Sequence, residues 1–144
     1  MNRQYTDEHA VAGVNVQLPD IETWPNQFPE REYEIEIGMP EFTSVCPKTG
    51  LPDSGELVLR YVPDKSCLEL KSLKIYTLAY RNLGIFQENA VNRMLNDVVR
   101  ACRPIRATII GEFAPRGGLS TLVTATYERA KDRKGRSGSK KRER

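Results

Sequence analysis

A chain of 144 residues, 39% hydrophobic and 28% charged, is sized for one domain that buries its own core without disulfide staples. It has no run of about 18 apolar residues, which excludes a membrane-spanning helix, and its start, MNRQYTDEHAVAG, lacks the apolar stretch of a secretory signal. A cytoplasmic location is expected. The formal charge of +3 is unevenly spread, since residues 128–144 hold nine basic and three acidic residues and leave residues 1–127 at −3.

The division expected is therefore a folded domain over 1–127, with an irregular lead-in over 1–30, and a basic, disordered tail over 128–144. The lead-in carries Pro19, Pro25 and Pro29 and shows no sustained period; Trp24 is its expected pin to the body. Residues 31–37, REYEIEI, alternate Tyr33, Ile35 and Ile37 with glutamates and predict a half-buried strand, stopped by Gly38 and Pro40. A loop with Cys46, Pro47, Gly50 and Pro52 follows. Leu57, Leu59 and Tyr61 then share one face of a second strand. In CLELKSLKIYTLAYRNL the stripe Leu70, Leu73, Tyr76 or Thr77, and Tyr80 predicts a helix. The stripe Phe86, Ala90, Val91, Met94, Leu95, Val98, Cys102 predicts a longer one ended by Pro104. RATIIGEF and LSTLVTATY predict two more strands joined by APRGG, whose Gly117 and Gly118 supply the permissive backbone of a hairpin. The order is ββααββ, an α+β chain with neither a βαβ repeat nor a Rossmann glycine fingerprint.

Three widely spaced cysteines, Cys46, Cys67 and Cys102, are expected to be thiols. With His9 the sole histidine and no CxxC pair, no metal site is expected, and a Ser-His-Asp or Cys-His pair is excluded unless His9 reaches the core. Cys102 lies on an apolar stripe as a structural cysteine does. Cys46 instead lies in TSVCPKTGLPD, beside Lys48, a neighbour that lowers a thiol pKa. Asp53, seven residues on across a Gly-Pro turn, is either a proton donor or a turn cap. Lys71 and Lys74, three apart on one helix face, either grip phosphate or are solvated. Glu88, in the first turn of the long helix, is favoured there by the dipole and is equally placed to bind the N–H edge of a heterocycle. The tail either contacts RNA through phosphate neutralisation or only keeps the chain soluble.

TSVCPKTGLPD, ELKSLKIY, YRNLGIFQEN and FAPRGG, in this order, resemble the NADPH-dependent 7-cyano-7-deazaguanine reductases, the nitrile reductases of queuosine biosynthesis, in their short single-domain form. The resemblance runs from about Phe42 to Tyr127. It implies a tunnelling fold, in which ββααββ subunits assemble their antiparallel sheets into an oligomeric barrel, pentameric or decameric, with active sites between subunits. It implies that Cys46 adds to the nitrile carbon as a thioimide and that Asp53 donates a proton. Leu68, Glu69, Leu70, Gln87 and Glu88 would contact 7-cyano-7-deazaguanine, with Glu88 anchoring the ring. Lys71, Lys74 and Arg116 would face NADPH, two of which are consumed per turnover.

Gln87 departs from the family pattern, which has histidine there, so an amide that cannot titrate replaces an acid-base group. Ile75 stands where Leu or Tyr is usual. An amidinotransferase-like relative of the same fold, adding ammonia to the nitrile in tRNA, is the alternative; retention of ELKSLKIY argues against it. The GTP cyclohydrolases of this fold call on histidines and zinc that the chain lacks. A non-enzymatic RNA-binding module rests on the tail alone and leaves Cys46 and Asp53 unexplained.

Overall fold

A computed structural model of the chain describes residues 5–130. Four long strands, β2 (Ile35–Val45), β3 (Pro52–Val62), β5 (Arg106–Arg116) and β6 (Leu119–Glu128), form one antiparallel sheet in the order β2-β3-β5-β6. Two helices cover one face: α2 (Leu70–Leu78) packs on β2, and α3 (Gln87–Cys102) packs on β5 and β6. A second, two-stranded sheet pairs β1 (Thr23–Pro25) with β4 (Ser66–Leu68), and a short helix, α1 (Asp7–Val11), begins the described chain. The ββααββ order of the body is the one its periodicities predict.

Period-2 alternation sorts each strand into a buried and an open face. Leu57, Leu59 and Tyr61 of β3 and Ile109 and Phe113 of β5 point at Val91, Met94 and Val98 of α3, all of them buried. The seam between the helices is polar: Tyr76 of α2 donates to buried Asp97 of α3 (2.5 Å), which also pairs with Arg93 (2.9 Å) and Arg100 (3.0 Å). Breaking a buried pair of this kind by removing one partner costs about 3–5 kcal/mol, so the seam fixes how α2 sits on α3.

Several boundaries move. The first long strand starts at Ile35 and runs through Gly38 and Pro40 to Val45. Neither residue stops it, because β2 is an edge strand and its pairing with β3 shifts register between Met39 and Phe42, where a missing N–H is tolerated. Cys67 and Leu68 are strand rather than helix, and Leu70 is 60% exposed instead of heading an apolar stripe. The lead-in is more regular than its prolines suggest. Thr6 and His9 form a capping box on α1, and Asn26, buried, bonds Lys65 O, Asp64 O, Phe28 N–H and the Tyr33 hydroxyl. Trp24 does donate to Leu68 O (3.2 Å) but stays half exposed.

At the other end, β6 runs to Glu128, and Arg129 bonds Asp64 and the Arg103 carbonyl; the tail from residue 131 lies outside the described residues. No helix among the described residues is long and apolar enough to cross a membrane.

Candidate active site

Three pieces of backbone converge at the hairpin end of β2 and β3. Cys46 follows the last residue of β2, its N–H donating to Leu51 O (2.9 Å) while its carbonyl accepts from Gly50 N–H (2.9 Å). Gly50 closes this turn at φ 74°, a conformation glycine adopts without steric cost. On its outer edge Val45 bonds Leu83 O (3.0 Å) and Ile85 N–H (2.9 Å), a parallel bridge that lays the segment leading into α3 alongside the cysteine.

Cys46 is 2% exposed. Burial pushes its thiol up, but the Thr49 hydroxyl, the backbone N–H groups of Thr49 and Lys48 and the Arg116 guanidinium all favour the thiolate, and the balance falls below the ordinary thiol value. Lys48 contributes through its backbone N–H. Cys102 shows the opposite case, with burial pushing its thiol up to about 12. One of these cysteines is built to ionise and the other is a small core residue.

Asp53 reaches the site by strand register rather than by a turn folding it back, since β2 and β3 pair Ser44 directly with Asp53. The carboxyl is 5% exposed, and its Oδ1 lies 2.8 Å from Arg116 Nη1. Burial raises its pKa; Arg116 and the Gln87 amide pull it down, and the Glu88 carboxylate pushes it up again, leaving it above the ordinary aspartate value. A thiol lowered and a carboxyl raised, beside one guanidinium, are two titratable groups pushed apart by their environments.

Arg116 arrives from 63 residues away because the β5–β6 turn is a two-residue loop, Gly117 and Gly118, with φ of 62° and 85°. Positive φ at both positions is what a type I′ hairpin requires. Register also shifts between Phe113 and Arg116, which turns the arginine toward the cysteine strand.

Gln87 and Glu88 open α3, whose N-cap Phe86 supplies no side-chain acceptor, so free N–H groups and the positive end of the dipole face this corner. The N-terminal segment lies against it: the Tyr5 ring is 5.8 Å from Phe86, Asn89 Nδ2 donates to Ala10 O (2.7 Å) and Arg93 Nη1 to Gly13 O (2.9 Å).

Cys46, Asp53, Gln87, Glu88 and Arg116 are thus brought together, whereas Leu68, Glu69, Leu70, Lys71 and Lys74 are not. Leu68 N–H donates to the Tyr61 hydroxyl (2.9 Å), and Tyr61 lies eight residues along β3 from Asp53, about 26 Å at roughly 3.3 Å per strand residue. Glu69 caps α2 by accepting from Lys71 and Ser72 N–H, which holds its carboxyl below the ordinary glutamate value. Lys71 and Lys74 are exposed and form no ion pair among the described residues. Lys74 and Arg81 line a groove of about 350 Å³ between α2 and residues 37–43. Thr49 and Ser44 escape a reading by residue type; both lie within TSVCPKTGLPD, yet nothing in the spacing marks a hydroxyl two residues before or three after a cysteine.

An antiparallel ββααββ subunit with a cysteine–aspartate corner at one sheet end defines a tunnelling-fold enzyme. The archaeosine synthase QueF-Like, solved in its apo form, shares this fold with a TM-score of 0.62 and 22% identity over 68% of this chain and 96% of its own. Residues 52–132 match the family described as QueF-like protein. The NADPH-dependent 7-cyano-7-deazaguanine reductase of Elusimicrobium minutum is 56% identical over 87% of this chain and 94% of its own length, and that of Chlorobaculum tepidum is 57% identical over 78% and 96%. The chain belongs to this family of NADPH-dependent 7-cyano-7-deazaguanine reductases.

Proposed function

We propose that the chain reduces the nitrile of 7-cyano-7-deazaguanine to the primary amine 7-aminomethyl-7-deazaguanine, as a cytoplasmic step of queuosine biosynthesis. The observation that carries this reading is the Cys46–Arg116–Asp53 corner, where a thiol pKa is depressed and a carboxyl pKa raised within one buried site. A nitrile is a poor hydride acceptor until a nucleophile adds to it. The Cys46 thiolate forms the S–C bond as one C–N π bond breaks, and Asp53 gives its proton to the nitrogen, leaving a thioimide. Arg116 holds the thiolate before the addition and the Asp53 carboxylate after it.

Glu88, at the mouth of α3, accepts the N–H edge of the guanine-like ring. Gln87 hydrogen-bonds toward Asp53, so in this chain the amide orients the acid where a histidine would titrate. NADPH fits the cationic donors present: Lys71 and Lys74 of one copy are exposed ammonium groups with no ion pair among the described residues, Lys74 lining the α2 groove, and Arg116 is 46% exposed. NADPH bound there would supply one hydride, and two NADPH in succession the two hydrides that the conversion of nitrile to amine requires.

A small heterocycle cannot span the roughly 26 Å between Asp53 and the Leu68–Leu70 segment of one chain. The reading therefore takes Leu68, Glu69 and Leu70 from a second copy, in a pentameric or decameric barrel whose sites lie between subunits. The decisive experiment mixes purified protein with 7-cyano-7-deazaguanine and follows NADPH at 340 nm, with mass spectrometry for a covalent adduct. Oxidation of two NADPH per amine formed, with the adduct lost in Cys46→Ala, is the expected result. An adduct without NADPH oxidation would point to amidine-forming chemistry, and the absence of both signals would overturn the reading.

A further inference from the structure

Ser44 is fully buried, and its hydroxyl has no hydrogen-bond partner among the described residues. Every other buried side-chain N or O of the described chain has one. A serine hydroxyl carries one donor and two lone pairs, and a structure that leaves them all unused gives up free energy it recovers by alanine at the same position. Nothing in the packing of β2 calls for a hydroxyl there.

Its position gives it a use. Ser44 stands directly opposite Asp53 across the β2–β3 ladder, a relation that puts the two Cβ atoms about 4.5–5.5 Å apart on one face. Cys46 is two residues further along the same strand, and the period of two carries it to the same buried face: Phe42, Ser44 and Cys46 are buried while Thr43 and Val45 are only partly so. Ser44 is the most buried of the three but only slightly so, at 0% exposed against 2% for Cys46 and 5% for Asp53. A carbon bonded to the Cys46 sulfur with its nitrogen turned to Asp53 would therefore sit on the buried face that Ser44 shares.

We propose that Ser44 is a catalytic residue of the addition step, its hydroxyl hydrogen-bonding the nitrile-derived nitrogen together with Asp53. Resting on the nitrile-reductase reading, the inference adds a third group to the pair. As the thiolate adds and negative charge gathers on nitrogen, the O–H donates to it while Asp53 transfers its proton. Once the thioimide N–H is formed, the hydroxyl oxygen accepts from it, so both faces of the serine's inventory are used in sequence. Donors aimed at an atom where charge develops have effects of about 10²–10³-fold on rate.

The test needs no NADPH. Ser44→Ala and Ser44→Thr are compared with the parent for the rate of covalent adduct formation with 7-cyano-7-deazaguanine, followed by mass spectrometry. Binding of the nitrile-free 7-aminomethyl-7-deazaguanine, alkylation of Cys46 by iodoacetamide and the melting temperature serve as controls. Ser44→Ala should melt at or above the parental temperature, alkylate and bind the amine as the parent does, and form the adduct at least ten-fold more slowly; Ser44→Thr, which keeps the hydroxyl, should recover part of that rate. Parental adduct formation in Ser44→Ala overturns the proposal. So does a slow adduct accompanied by an equal loss of amine binding or a lowered melting temperature, since the hydroxyl would then be structural. A parent that forms no adduct overturns the nitrile-reductase reading itself, and the proposal with it.

Discussion

Replacing Arg116 by alanine should raise the thiol pKa of Cys46 and slow its alkylation. The guanidinium is one of four groups that favour the thiolate, and burial opposes them. A hydrogen bond to a charged group contributes about 1.5–3 kcal/mol when sheltered, but Arg116 is 46% exposed, and solvent screening brings its share down to about 1 kcal/mol. At about 1.4 kcal/mol per factor of ten, alkylation of Cys46 well below its pKa should slow by about five-fold. The assay is the second-order rate of iodoacetamide labelling of the Cys46 peptide from pH 5 to 9 in the free protein, with Cys102, held up near 12 by burial, as the unreactive internal reference. Arg116→Lys, which keeps the charge and loses the planar fork, should fall between parent and alanine. An unchanged labelling profile in Arg116→Ala would show that the Thr49 hydroxyl and the turn N–H groups alone set the thiolate, and the shared-guanidinium argument would fail.

Asp53→Asn should separate activity from stability. Because the folded carboxyl titrates above its unfolded value of about 3.9, its contribution to stability is fully present below that value and is lost as pH rises through the folded pKa. The variant should therefore lose part of the parent's decline in melting temperature above about pH 4, melt no lower than the parent at pH 7, and reduce the nitrile about 10²–10⁴-fold more slowly; calorimetry from pH 4 to 8 that finds the variant several degrees less stable at pH 7 would contradict the burial argument. Gly13→Ala places a Cβ 2.6 Å from Gly84 O and 2.7 Å from Ile85 Cβ, at a residue with φ 78°. It should cost about 1–3 kcal/mol, seen as a drop of several degrees in melting temperature, and unchanged melting would mean that Gly13 does not pack on Gly84 and Ile85 this closely.

Periodicity alone was enough for the long helix and for the strand through Leu57, Leu59 and Tyr61, since burying one face of a regular element leaves a repeat that survives in one dimension. The oddness of Cys46 was equally legible, as a cysteine off any apolar stripe and next to a proline. Strand β2 was not: Gly38 and Pro40 read as stops locally, and only its place at the sheet edge, with a register shift beside it, lets the strand run on to Val45. The lowered thiol was expected from Lys48 alone, because a lysine is visible in sequence whereas the N–H groups of a turn and an arginine 70 residues away are not. Asp53 could be named as an acid or a cap; which residue it faces is a matter of ladder register, and a pairing offset by one residue would turn it to the other face of the sheet. That same register sets Ser44 across from it. Residue type and spacing record which side chains are available for chemistry, but which of them share a buried volume is settled by non-local pairing, and in this protein the distance along the chain from Cys46 to Glu69 is shorter than that to Arg116 while the distance through space runs the other way.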